Sequence, residues 1–134
     1  MTHWATDYIG IPWVNGGQDL DGFDCWGFVR HIQLVHYHRE LPVVDVDATK
    51  TLAVVRALTN HPEHDRWAHV MTPQDGDCVE MGNAARPFHV GLWVDVEGGA
   101  VLHCVQGAGV VLSSLPTLIP VWGKIDFWRF KGAA

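Results

Sequence analysis

Between Cys25 and His38 the apolar residues Phe28, Val29, Ile32 and Val35 recur at the spacing of one helical face. That pattern predicts an amphipathic helix that starts at Cys25 and buries the stripe. Pro42 closes the segment, and Leu52, Val55 and Leu58 predict a second, shorter helix over Thr49 to Leu58. Residues 60–77 read as a polar loop with room for one short strand, ending in a turn set by Pro73, Asp75 and Gly76. Beyond Cys78 the texture changes to short Val-rich or aromatic runs, "CVEM", "FHVGLWVDV", "AVLHCVQ", "GVVLSS" and "IDFWRF", separated by glycine-bearing turns. Gly98 and Gly99 between two alternating runs signal a hairpin. Helices first and an antiparallel meander afterwards predict an α+β domain with the helices against one sheet face.

Composition narrows the function. The 134 residues suit one domain, 1–134, able to bury a core without staples, and a 48% hydrophobic content with 18% charged residues is globular. A net charge of −6 with unclustered basic residues argues against a nucleic-acid partner. Cys25, Cys78 and Cys104 form no CxxC pair and are odd in number, so no disulfide framework is expected. No apolar run approaches the ~18 residues of a membrane span. The N-terminus lacks the basic and apolar regions of a signal peptide, so synthesis in the cytoplasm is expected, with any exit by another route.

The chemistry centres on the helix start. Asp24 is placed to cap the helix and Cys25 to be its first residue, where the macrodipole favours a thiolate. Taken alone, Cys25 reads first as a small buried hydrophobe. A nucleophile needs a base, and His31, His36 and His38 lie too far along the same helix. His61, His64 and His69 lack metal-ligand spacing and no HExxH occurs, so no metal is implied. His89 and His103 lie in adjacent strands at positions of the same parity, which puts them on one sheet face if no bulge shifts the register. A turn centred on Gly98 and Gly99 pairs His89 with Ala108, whereas an asymmetric loop moves the partner, so the pairing stays open. On a shared face, His89 would take the thiol proton and His103 would hold His89 by its other ring nitrogen. Cys78 and Cys104 read as core residues, and Asp19 and Asp21 as solvated loop residues.

These motifs together resemble the NlpC-type cell-wall cysteine peptidases of the papain-like superfamily. Pro12-Trp13-Val14-Asn15-Gly16-Gly17 followed by "QDLDGFDCWG" is similar to the family's glycine loop and Asp-Cys-x-Gly motif. "PQDGDCVEM" is similar to its Pro-x-x-Gly-Asp turn, and "HVGLWVDVEGGAVLHC" to its His-Val-Gly strand with a second histidine. The resemblance implies a papain-like α+β fold and a Cys-His-His triad of Cys25, His89 and His103. It also implies substrate contacts from Trp13, Asp24 and Trp26, no cofactor, and hydrolysis of the γ-D-glutamyl to diamino acid bond in peptidoglycan stem peptides. Trp26 stands where the family usually has Ser, and "DCWGFVR" resembles the bacteriophage tail subset, which implies tail proteins as partners and action on the cell wall. Trp13 replaces the usual Tyr, so its indole can donate one hydrogen bond but accept none. Two further readings are another thiol amidase or acyltransferase on the same fold, and a structural tail component with a vestigial site.

Overall fold

A computed structural model describes residues 3–41, 66–83 and 89–131, and the helix expected over Thr49 to Leu58 lies outside them. A 3-10 turn, Trp4–Tyr8, leads through a glycine-rich loop into a two-strand hairpin, β1 (Gln18–Asp19) and β2 (Gly22–Phe23). Helix α1 (Cys25–Tyr37) follows directly. Then come β3 (Trp67–Val70), β4 (Cys78–Gly82), β5 (His89–Val94), β6 (Ala100–Val105), β7 (Gly109–Ser113), a second helix α2 (Leu115–Trp122) and β8 (Lys124–Phe130). The architecture is α+β, as expected.

Helix α1 begins where the sequence places it because Asp24 holds extended backbone angles and its Oδ1 accepts the Gly27 N–H at 2.6 Å. It ends at His38, which takes the left-handed conformation at φ 58 and returns its N–H to the Gln33 carbonyl. Phe28, Val29 and Ile32 are fully buried as predicted, but Val35 is 48% exposed. The buried stripe is centred nearer Val29 and Gln33, about a quarter-turn from Val35. Gln33 fills the vacated core position at no polar cost. Its Nε2 donates to the Gly76 carbonyl at 2.9 Å and its Oε1 accepts from Arg39 at 3.1 Å, which fastens α1 to the turn before β4.

The six long strands form one antiparallel sheet in the order β3-β8-β4-β5-β6-β7. Strands β4 to β7 are the expected meander, but β8 does not extend it. It returns between β3 and β4, pairing Cys78 with Trp128 on one side and Trp67 with Phe130 on the other. Helix α2, absent from the expected elements, covers the sheet face opposite α1. Alternate residues of the central strands separate into two cores. Val90, Leu92, Val94, Leu102 and Cys104 pack with Phe28, Val29 and Ile32 of α1. Val79, Met81, Trp93 and Val101 pack with Leu118 and Trp122 of α2.

Candidate active site

Three close backbone approaches build the floor under Cys25. The Asp24 N–H donates to the Gly17 carbonyl at 3.1 Å, and Val14 N–H donates to the Phe23 carbonyl at 2.9 Å. Helix α1 then passes so near the loop that a Cβ on Gly27 would run into the Gly17 carbonyl. Only glycine fits there, which explains physically why Asp-Cys is followed by Trp26-Gly27. Asp24 itself is buried, and burial raises its carboxyl above the usual range against hydrogen bonds from the Gly27 and Gly16 amides. Its carboxylate is committed to these backbone groups. Trp13 forms a parallel bridge to Phe23, and Trp13 and Trp26 are both half-buried beside the core.

Cys25 is a free thiol at the first position of α1. The residue is only partly covered, but its environment is unfavourable to charge: burial first, then the Asp24 carboxylate, pushes the thiol up to about 12. Backbone N–H groups of Val90, Trp26 and Cys25 act in the opposite direction. Thus the helix start does not by itself make a thiolate at neutral pH. Ionisation requires a partner that takes the proton and remains nearby as a cation.

His89 and His103 form a close buried pair. His89 Nε2 and His103 Nδ1 are 2.8 Å apart, with both residues buried. The register is the asymmetric one: Gly91 faces His103 and Val94 faces Ala100, so His89 lies diagonally from His103 on the same face. Gly91 permits this approach, because a Cβ there would meet the His103 Cβ at 2.8 Å and the Leu102 carbonyl at 2.9 Å. His103 is pushed down to about 4 by burial, so it is a neutral ring near pH 7. When the His89 Nε2–H is donated to His103 Nδ1, a neutral His89 carries its lone pair on Nδ1.

Helix α1, which starts at Cys25, and the histidine pair lie on opposite faces of the sheet. The β5–β6 ladder closes at Gly91↔His103, leaving Val90 and Cys104 beyond its last pair. Trp93 N–H points to β4, donating to the Asp77 carbonyl at 2.8 Å, so alternation directs the Val90 N–H to the β6 side. There it meets the Cys25 sulfur instead of a strand carbonyl. Across the gap the Cys104 thiol donates to the Phe23 carbonyl at 3.2 Å, as a buried core residue. Residues 10–124 of the chain match the NlpC/P60 family.

The chain belongs to the NlpC/P60 family. It is 29% identical over 127 residues to a "Probable endopeptidase" of Haemophilus influenzae, covering 93% of this chain and 68% of that protein. It is 30% identical over 120 residues to "Protein P54" of Enterococcus faecium, covering 87% of this chain but only 20% of that much longer protein. Among solved structures it resembles the NlpC/p60 domain of the peptidoglycan hydrolase SagA, with a TM-score of 0.59 and 26% identity over 92% of this chain and 90% of the other. As an NlpC/P60 domain it has the papain-like α+β fold and is a cysteine peptidase.

Gly91 is the glycine of the His-Val-Gly motif, and the strand register shows what it permits there. Two further residues beside the histidines carry no motif signal of their own. Trp122 stacks flat on His89, with ring centroids 4.9 Å apart and planes 7° apart. It arrives on α2, whose sequence "LPTLIPVW" holds two prolines and hides the helix. Ser113 Oγ lies 2.9 Å from His103 Nε2. A hydroxyl on the same strand parity as Val111, which faces His103, was the available clue. Asp19 and Asp21 close a local exposed turn through the Asp21 N–H and Asp19 Oδ1, as a solvated loop should.

Proposed function

We propose that the domain hydrolyses peptide bonds in peptidoglycan stem peptides, with Cys25 as nucleophile, His89 as general base and acid, and His103 as the residue that orients His89. The observation that carries this reading is the His89–His103 contact of 2.8 Å in an NlpC/P60 fold whose helix α1 starts at a cysteine. Cys25 gives its proton to His89 Nδ1 and the sulfur attacks the carbonyl carbon. The oxyanion is held by the Cys25 backbone N–H at the start of α1, an amide that the helix itself leaves without an intrahelical partner. Collapse breaks the C–N bond, the amine leaves with the proton held by His89, and a thioester remains. Water then gives a proton to His89 and attacks the thioester, which releases the acid and restores the thiol.

The finer assignment is the γ-D-glutamyl to diamino acid bond, and it rests on the order and spacing of the three motifs. A bacteriophage tail setting, with action on the cell wall, rests on "DCWGFVR" alone. Trp13 and Trp26, partly buried against the core, are the residues assigned to contact the stem peptide. The test is digestion of defined muropeptides with detection of a new diamino-acid amine. The expected result is cleavage at that bond by the wild-type domain and a loss of about 10³-fold or more in Cys25→Ser. Release of a different amine overturns the bond assignment, and equal cleavage by Cys25→Ser overturns the nucleophile.

A further inference from the structure

We propose that Ser113 is a positioning residue of the site: its hydroxyl accepts the His103 Nε2–H and so holds His103 in the one tautomer that can serve His89. The proposal rests on the reading of Cys25, His89 and His103 as the reacting group. When the thiol proton moves to His89 Nδ1, His89 becomes an imidazolium with both ring nitrogens protonated. Its Nε2–H then points at His103 Nδ1, 2.8 Å away, and that atom must carry a lone pair. A neutral His103 with a lone pair on Nδ1 carries its hydrogen on Nε2. This N–H is buried with a ring that is 2% exposed, and the atom opposite it is Ser113 Oγ at 2.9 Å. The reverse tautomer of His103 would donate from Nδ1 to His89 Nε2. His89 would then carry its single hydrogen on Nδ1 and could not accept a proton there.

The surroundings favour a dedicated role for the hydroxyl. Trp122 faces the pair from α2, Gly91 faces it from β5, and Cys104, the next residue on β6, packs on the α1 side. Ser113 sits on β7, the edge strand, opposite Val101 and diagonal to His103. Truncating an edge-strand serine removes one oxygen and leaves the ladder in place.

The test reads the rate of Cys25 alkylation by iodoacetamide between pH 5 and 9, which needs no substrate. Melting temperatures and imidazole ¹⁵N spectra are collected on the same proteins. Ser113→Ala is expected to slow alkylation at neutral pH about tenfold, the loss of one hydrogen bond to a buried group, with its melting temperature near wild type. Ser113→Thr, which keeps the oxygen, is expected to recover most of that loss. The wild-type spectrum should show His103 protonated at Nε2 and bare at Nδ1, with mixed tautomers in Ser113→Ala. Alkylation of Ser113→Ala within about twofold of wild type, while His103→Ala is slowed, overturns the role of Ser113 and leaves the triad standing. A wild-type His103 protonated at Nδ1 overturns it whatever the variants do. If His103→Ala is not slowed either, the reading of the triad itself fails.

Discussion

The two faces of the central sheet do different work. The α1 face is a close-packed apolar core in which Phe28, Val29, Ile32, Leu92, Val94 and Leu102 are covered completely or nearly so. The α2 face is smaller and mixes Val79, Met81 and Val101 with two buried histidines and a tryptophan laid flat on one of them. Burial on the α1 face brings apolar atoms out of water and stabilises the fold. On the α2 face the same burial keeps His103 neutral. Under the proposed function, one face carries the nucleophile at the start of α1 and the other holds the histidine base. The β5–β6 ladder ends short of Val90, whose N–H reaches the Cys25 sulfur.

If the α2 face sets orientation more than stability, changes there should cost activity out of proportion to stability. Gly91→Ala is the most severe probe, since its Cβ has to displace His103 or the Leu102 carbonyl. We expect kcat/KM to fall about 100-fold and unfolding free energy to fall by about 1–3 kcal/mol in denaturant titrations. Activity near wild type in a stably folded Gly91→Ala would show that the histidine pair does not depend on this close approach. Trp122→Leu keeps an apolar side chain under His89 but removes the flat ring. It should lower kcat about tenfold with KM little changed, because an aromatic face stabilises the imidazolium that forms during the reaction. A change confined to KM would place Trp122 in substrate binding instead.

The smallest effect concerns pH and stability. His103 is pushed down to about 4 from its ordinary 6.5 by burial. The unfolded chain therefore binds more protons between those values, so stability is complete above about pH 6.5 and is lost as pH falls toward 4. Burial also lowers His31 and His36, so the contribution of His103 is best read as the difference between wild type and His103→Gln. By pH 5 the wild type should have lost about 2 kcal/mol more than the variant, measured by melting temperature in a pH series. Parallel curves would mean that His103 is solvated and free to titrate.

The α1 face was also the more legible in the sequence, for the same physical reason. Its order is local: Asp24 caps the residues that follow it, and the buried stripe has helical spacing. The start of α1 at Cys25 and the Gly98–Gly99 hairpin were therefore readable directly, with Val35 misplaced because a polar Gln33 took the core position. The α2 face depends on non-local facts. A helix with Pro116 near its start and Pro120 inside it has poor intrinsic propensity and is held by Leu118 and Trp122 packing on the sheet. The insertion of β8 between β3 and β4 likewise leaves no local trace. Parity allowed His89 and His103 one sheet face and the family resemblance joined them, but their diagonal register, and with it the parts played by Gly91 and Ser113, depended on a loop length that the glycine pair alone does not determine.

The central claim is that the α2-face histidines ionise a cysteine that its own surroundings hold protonated. Thiolate absorbance near 240 nm, followed against pH, tests this directly. Cys104 is buried and pushed up to about 12, and the thiolate that disappears in Cys25→Ser is the one that belongs to Cys25. The account predicts one thiolate at or below about pH 8 in the wild type, absent from Cys25→Ser and lost from His89→Ala, whose Cys25 should resist ionisation until near pH 12. A wild-type protein with no thiolate below about pH 11, indistinguishable from His89→Ala, would contradict it.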